Sequence, residues 1–222
     1  MHTSLKKLEF IQSKINEIVN KKQLKTKPEI IVVTKTFSIE NITPLLENGH
    51  VHYGENKVQE AESKWGEIRK SYNNLCLHMV GKLQSNKAKK AVDLFDYIHS
   101  LDNEKLALKI SEYQKELNKE VKLFIQVNLA DEKQKSGLNL NNLKNFYNYC
   151  VKDLSLNVIG LMCLPPIDSN TDKFFKLLKK NSDDLNLKHL SMGMSSDFEN
   201  AVINGSTFLR LGTLIMGKRN VT

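Results

Sequence analysis

Ile30-Ile31-Val32-Val33-Thr34-Lys35-Thr36 is a run of β-branched residues that ends in a lysine. Such a run predicts a short strand buried on both faces, as the strands of parallel sheets are. At the end of that strand the amine of Lys35 would lie beside apolar residues, which disfavour the charged form and leave the amine free to attack a carbonyl carbon. Lys35 is therefore a candidate nucleophile, although most lysines at strand ends only face solvent.

Seven more predicted strands follow, and a predicted helix separates each from the next. A further helix, at residues 3–24, precedes the first strand. This alternation indicates a parallel sheet. Eight units without a Gly/Ser-rich linker favour a single α/β domain over residues 1–222, folded as a closed (β/α)8 TIM barrel. A doubly wound open sheet is the alternative, but the first strand lacks the glycine-rich phosphate turn of that fold. The seven strands are predicted at 51–53, 76–80, 96–100, 123–128, 157–162, 188–191 and 206–211.

The composition argues against several classes of protein. The 222 residues carry a formal net charge of +8, but the lysines are spread along the chain. We therefore expect no specific nucleic-acid partner, only salt-sensitive contacts with polyanions. No segment resembles a signal peptide or a membrane span. Cys76, Cys150 and Cys163 lack metal-ligand or redox spacing and indicate reduced core residues. Because no feature requires an oligomer, we expect a cytoplasmic monomer without a membrane partner or a metal.

A polar or sulfur-containing residue lies at or just past the end of each predicted strand. In a barrel the carboxyl ends of the strands meet at one opening, where the chemistry of such folds is found. These residues are therefore predicted to face a common site, although Ser100 and Asn128 fit better as ordinary polar strand ends and His78 fits equally well as a hydrogen-bonded core histidine. In chain order they are Lys35, Asn56, His78, Ser100, Asn128, Met162, Ser191 and Arg210.

Two glycine-containing loops predict a phosphate site at the same opening. Ser191-Met192-Gly193-Met194-Ser195 follows the seventh strand, and Arg210-Leu211-Gly212-Thr213 follows the eighth. Small residues there allow backbone N–H groups to approach an anion, although both glycines could simply serve tight turns. A reactive amine opposite a phosphate site suggests a phosphorylated aldehyde or ketone as the ligand. A lysine-dependent aldolase and a pyridoxal 5′-phosphate (PLP) protein both fit this pattern.

Motifs along nearly the whole chain resemble the YggS or PROSC family of pyridoxal phosphate homeostasis proteins. The Gly-Glu-Asn and Ser-Met-Gly-Met-Ser signatures are the most specific of them. One difference is Lys82, where many members have histidine. The matching stretches are Val33-Thr34-Lys35-Thr36, residues 53–60, residues 81–87, Val127-Asn128 with Lys135-Ser136-Gly137, Gly160-Leu161-Met162, residues 190–197, and Arg210-Leu211-Gly212-Thr213 with Gly217-Lys218-Arg219.

The resemblance implies a PLP barrel of fold type III, related to the N-terminal domain of alanine racemase. It implies that Lys35 forms the internal aldimine and that Arg210 lies by the pyridine nitrogen. Asn56 and His78 would lie near the ring. The phosphate would be held by Ser191, Gly193, Gly212 and Thr213.

A carrier of PLP is the function that we expect. A racemase needs acid/base groups on both faces of its substrate, and related racemases take one from a second, β-rich domain and a partner subunit. The sequence ends soon after the eighth strand, so we expect no such domain and no catalytic residues. The protein would buffer PLP or supply it to PLP-dependent apo-enzymes. The alternative is a weak amino-acid racemase or related PLP enzyme, with His78 or Tyr53 as the second base.

Overall fold

Eight parallel strands close into a barrel in the computed structural model, which describes residues 2–130, 132, 134, 136–166 and 169–218. The barrel closes because β4 pairs with β5 at one side and β1 pairs with both β2 and β9 at the other. A short ninth strand, β6, pairs with β5 outside the ring and was not predicted. Lys135 and Arg219, two members of the family motifs, lie outside the described residues. The strands are β1 Glu29–Val33, β2 His52–Glu55, β3 Cys76–Met79, β4 Tyr97–Leu101, β5 Lys122–Asn128, β6 Leu138–Asn139, β7 Val158–Cys163, β8 His189–Ser191 and β9 Phe208–Leu211.

Helices surround the barrel, so the predicted closed (β/α)8 fold is confirmed. The first helix ends at Lys21, three residues before the predicted end, and buries Leu8, Ile11 and Ile15 against its neighbours. Among the described residues, no helix is both long and apolar enough to cross a membrane. The helices are α1 Thr3–Lys21, α2 Ile39–Glu47, α3 Val58–Trp65, α4 Ile68–Ser71, α5 Ala88–Leu94, α6 Glu104–Leu117, α7 Leu143–Asn148, α8 Thr171–Asp184, α9 Phe198–Ile203 and α10 Thr213–Met216.

Two apolar cores explain why the strand sequences are continuously hydrophobic. In β1, Ile31 joins a small cluster with Phe124 and Phe208 inside the barrel. Ile30 and Val32 belong to the larger cluster, which fills the layer between strands and helices. Since successive side chains of a strand alternate between its two faces, a barrel strand needs apolar residues at nearly every position.

Candidate functional site

A cavity of about 580 Å³ opens at the carboxyl ends of the barrel strands. It combines one amine, one guanidinium and one amide with small polar residues and several apolar walls. This is the end of the barrel at which the sequence predicted the site. The lining residues are Val33, Lys35, Phe37, Asn56, Val80, Gly81, Leu164, Met194, Ser195, Ser196, Arg210, Gly212, Thr213 and Gly217.

Lys35 lies two residues beyond the end of β1, in a tight turn. The turn is closed by a hydrogen bond of 3.1 Å from the Phe37 N–H to the Thr34 carbonyl. Thr34 is fully buried and Lys35 is half-buried. The buried strand β1 thus ends at Val33, beneath the cavity. Lys35, two residues later, lines that cavity.

The side chain of Asn56 contributes to the cavity a polar atom that lacks a hydrogen-bond partner among the described residues. It follows the last residue of β2 and lines the cavity. Its Oδ1 atom is buried and has no hydrogen-bond partner among the described residues. A buried polar atom without a partner costs free energy, so this amide is well placed to bind a ligand in the cavity.

Arg210 is a buried cation held from within the barrel. It lies on β9 beside Ile31 of β1, and its side chain lines the cavity. One guanidinium nitrogen donates to Ser191 Oγ at 2.6 Å, and another donates to the Cys163 carbonyl at 2.9 Å. Burial lowers the pKa of Arg210, and electrostatic interactions with Cys163 and Asp197 oppose that shift. Two fixed contacts orient the planar guanidinium group.

Ser191 does not line the cavity, in contrast to its predicted place beside a phosphate. Its side chain is fully buried inside the barrel, between the guanidinium of Arg210 and the ring of His99. The reason is that β8 ends at Ser191 itself, so that its side chain still belongs to the barrel interior. The structure therefore indicates a role in holding Arg210.

His78 also lies below the cavity, within a row of hydrogen-bonded side chains. Its Nε2 atom is 2.9 Å from His52 Nδ1, and its Nδ1 atom is 2.9 Å from His99 Nε2. His99 Nδ1 is 2.8 Å from Ser191 Oγ. Because Arg210 can only donate, Ser191 accepts from it and can donate its own hydrogen to His99. The row thus runs from Arg210 down the barrel axis to His52.

The histidines of this row are held neutral. Burial lowers the pKa of His78 and of His99 well below the usual range. The neighbouring His99 adds to this effect for His78, and the charge of Arg210 adds to it for His99. Burial also lowers the pKa of His52, at the opposite end of the barrel from the cavity. Among the members of this row only Arg210 lines the cavity, and both ring nitrogens of His78 face other histidines.

Gly193 serves packing and backbone geometry, and it does not line the cavity. Its φ angle is +91°, which glycine adopts freely. A Cβ atom there would lie 2.5 Å from the Ala201 Cβ and 2.9 Å from the Leu209 Cδ2. Its carbonyl accepts a hydrogen bond from the Arg210 N–H at 3.0 Å. The loop needs glycine here because α9 and β9 pack against it.

Three other strand-end residues are also absent from the cavity lining, contrary to the prediction that they face a common site. Ser100 and Met162 are buried within the barrel wall. Asn128 binds the backbone of Glu132, accepting from its N–H and donating to its carbonyl. Ser100 and Met162 each precede the last residue of their strands, so their side chains still belong to the barrel below the opening.

Ser195 and Ser196 line the cavity. Ser195 belongs to the loop that was predicted to bind phosphate, but neither serine was singled out as a site residue in the sequence analysis. Together with the predicted Gly212 and Thr213, they form the side of the opening contributed by the loops after β8 and β9. The backbone N–H groups of Ser195, Ser196 and Thr213 donate to no described residue. The signal was present in the sequence, since both serines follow the strand end by four or five residues.

Comparison with known proteins agrees with the geometry. The chain matches the family described as alanine racemase, N-terminal domain, over residues 7–220. The pyridoxal phosphate homeostasis protein of Aquifex aeolicus is 36% identical over 86% of this chain and 87% of its own length. That of Synechocystis is 35% identical over 86% of this chain and 91% of its own length.

Solved structures show the same similarity. PipY of Synechococcus elongatus without PLP has a TM-score of 0.82 at 33% identity, covering 91% of this chain and all of the PipY chain. The structure of PipY with PLP bound has a TM-score of 0.80 at the same identity and coverage. An alanine racemase of Clostridium difficile has a TM-score of 0.71 at 14% identity, over 97% of this chain and 57% of the racemase. That last similarity is one of fold alone.

Proposed function

Since this chain belongs to the alanine racemase N-terminal domain family, and within it to the pyridoxal phosphate homeostasis proteins, we propose that it binds PLP in the cavity at the carboxyl ends of the strands. Its function is PLP homeostasis, in which it holds the cofactor and buffers or supplies it. The observation that carries this proposal is the meeting of Lys35, Asn56 and Arg210 in one cavity. PipY, a protein of the same fold at 33% identity, has been solved with PLP bound.

The cavity residues fit the chemical groups of PLP. The unsatisfied Asn56 amide matches a polar substituent of the ring. The predicted Gly212 and Thr213, with Ser195 and Ser196 beside them, offer small residues and N–H groups for a phosphate. Arg210 faces the cavity as a fixed cation. We assign Lys35 to the aldehyde, Arg210 to the pyridine nitrogen, Asn56 to the ring and the four small residues to the phosphate.

Lys35 supplies the covalent link in this proposal. The Lys35 amine would hold PLP through a C=N bond to the aldehyde carbon, formed with loss of one water. When bound, PLP supplies an electron sink for bonds next to an amine. An arginine at the ring nitrogen weakens that sink, because its N–H donates a hydrogen bond to the nitrogen but does not transfer the proton to it. The residues are therefore suited to retaining PLP more than to carbanion chemistry.

Neither candidate base for a racemase reaches the cavity, which supports a carrier. Both ring nitrogens of His78 are occupied by other histidines. Tyr53 is fully buried, and burial raises the pKa of its hydroxyl. The curated names of the relatives likewise describe a homeostasis protein and no catalyst. We extend the proposal to PLP-dependent apo-enzymes as recipients, a monomeric state and a cytoplasmic location. The dispersed charge of the chain supports the expectation of no specific nucleic-acid partner.

The test is to trap the covalent link. PLP is added to the purified, cofactor-free protein, the mixture is reduced with borohydride, and modified peptides are mapped. We expect the adduct on Lys35 and its loss in Lys35→Ala. Lys82→Ala is the matched control, because Lys82 is an exposed lysine next to the cavity residue Gly81. An adduct spread over many lysines, unchanged by Lys35→Ala, would refute the assignment.

A further inference from the structure

The turn that carries Lys35 is strained at the following residue. Thr36 has a φ angle of +68°, in the left-handed region. For a β-branched residue this conformation is a genuine outlier and is costly. Such strain persists only where surrounding contacts enforce it, and it is concentrated at functional sites. Because Lys35 directly precedes Thr36, the contacts that enforce this conformation also affect the orientation of Lys35.

Thr34, on one side of Lys35, is held by a buried ion pair. Its hydroxyl donates to Glu55 Oε1 at 2.7 Å, and its carbonyl accepts from Lys64 Nζ at 2.8 Å. Lys64 Nζ also lies 2.9 Å from Glu55 Oε1, which accepts a further hydrogen bond of 3.0 Å from the Trp65 indole. The side chain of Glu55 is completely buried and that of Lys64 is only 8% exposed. At this burial the pair holds one geometry with little competition from water.

Thr36, on the other side of Lys35, is held by Glu60. The backbone N–H of Thr36 donates to Glu60 Oε1. Lys64 Nζ lies 3.2 Å from the same oxygen, one helical turn along α3. Partial burial opposes ionisation of Glu60, but the hydrogen bond from Thr36 and the charge of Lys64 outweigh it and lower its pKa. One ammonium group thus joins the supports on both sides of Lys35.

We propose that Glu55, Glu60 and Lys64 form a clamp that holds the strained turn at residues 34–37 and so directs Lys35 into the cavity. All three are positioning residues, because none of them lines the cavity. Glu55 ends β2, and Glu60 and Lys64 lie one turn apart on α3, while Asn56 between the two elements contributes to the cavity wall. The inference rests on the proposed function, since it assigns these residues to the site at which Lys35 binds PLP.

The clamp is tested by relieving the strain that it counters. Glu60→Ala removes the acceptor of the Thr36 N–H. We expect the borohydride-trapped PLP adduct at Lys35 to form about tenfold more slowly. Without the Glu60 acceptor, the left-handed conformation of Thr36 becomes less populated, and a factor of about ten corresponds to the free-energy penalty of that conformation in a non-glycine residue. Thr36→Gly in the Glu60→Ala background removes that penalty. The rate should then return to within about threefold of the wild type.

Two comparisons separate this effect from general damage. Glu62→Ala, on the same helix, removes an exposed ion pair with Lys90 that does not touch the turn, and should leave the rate unchanged. Pyridoxal, which lacks the phosphate, should show the same ratio between variants as PLP, because the clamp acts on the lysine. A normal rate in Glu60→Ala, or no recovery in the double variant, overturns the clamp.

Failure of the clamp can be told apart from failure of PLP binding. If wild-type Lys35 forms no adduct, the proposed function fails. The clamp is then judged by the unfolding equilibrium of the same variants. Glu60→Ala should shift that equilibrium about tenfold toward the unfolded state, and Thr36→Gly should offset most of the shift. Independent, additive effects of the two substitutions would overturn the clamp without reference to any ligand.

Discussion

Arg210 shows how a single side chain at this site depends on residues that do not line the cavity. Its guanidinium is buried and is fixed by Ser191 and by the Cys163 carbonyl. The Ser191 hydroxyl in turn forms a hydrogen bond with Nδ1 of the buried His99. A hydroxyl suits this position because it accepts from the arginine while it donates to the neutral imidazole. The orientation of the cation at the cavity is thereby decided inside the barrel.

Ser191→Ala should destabilise the ligand-free protein. The substitution leaves the Arg210 donor and the His99 Nδ1 acceptor without their shared partner, at an expected cost of about 3 kcal/mol. Ser111→Ala is the matched control, since that buried serine makes one neutral hydrogen bond to the Leu154 carbonyl and should cost about 1 kcal/mol. Urea unfolding measures both. If Ser191→Ala instead weakened PLP binding with no loss of stability, Ser191 would be a phosphate ligand as first predicted.

The pairing of β7 with β8 depends on a close approach of the two backbones. Gly160 is opposite His189 in the register of this pair. A Cβ atom at Gly160 would lie 2.1 Å from the His189 carbonyl oxygen and 2.8 Å from the Phe124 ring. The backbone atom cannot turn aside, so any side chain here must separate the strands. Since β8 leads into the loop with Ser195 and Ser196, this pairing also positions one side of the cavity.

Gly160→Ala is therefore expected to be strongly destabilising. Because the added methyl group meets backbone and an aromatic ring, we expect a loss of about 3 kcal/mol in the free energy of unfolding. Gly49→Ala provides the comparison, because nothing lies within 4 Å of that site but its φ angle is +79°. Backbone conformation alone should cost about 1 kcal/mol there. Equal losses in the two variants would contradict the close approach.

The molecule as a whole carries several buried histidines, which makes its stability depend on pH. Burial lowers the pKa of His78 and His99 far below the usual range, and it lowers those of His50, to about 4, and of His52 and His189. In the unfolded chain each histidine titrates near pH 6.5. Below that value the unfolded state binds more protons than the folded state, so stability falls as the pH falls.

Urea unfolding at pH 7.5 and pH 5.5 tests this dependence. The two fully buried histidines, His78 and His99, should each remove about 1.4 kcal/mol of stability over this interval, with smaller losses from the more exposed ones. The interval ends above the range in which most carboxylates titrate. A free energy of unfolding that stays constant between the two pH values would show that these histidines take up protons in the folded state.

The barrel and the location of its site followed from local features of the sequence. Eight buried strands alternating with helices leave few arrangements open, and the carboxyl ends of parallel strands must meet at one opening. That reasoning placed Lys35, Asn56 and Arg210 at the cavity, together with Gly212 and Thr213. Each of these residues lies close to the end of a strand or in the loop that follows it.

The supports of the site depended on tertiary contacts. Thr34 meets Glu55 and Thr36 meets Glu60 because Val33 of β1 pairs with Gly54 of β2. A shift of this register by one residue would turn each side chain to the other face of its strand. The places of Ser191 and His78 below the cavity likewise depend on where β8 and β3 end and on the side chains that they meet inside the barrel. The sequence alone identified the chemical groups of the site. The side chains that support these groups depend on pairing between segments that are distant in the chain.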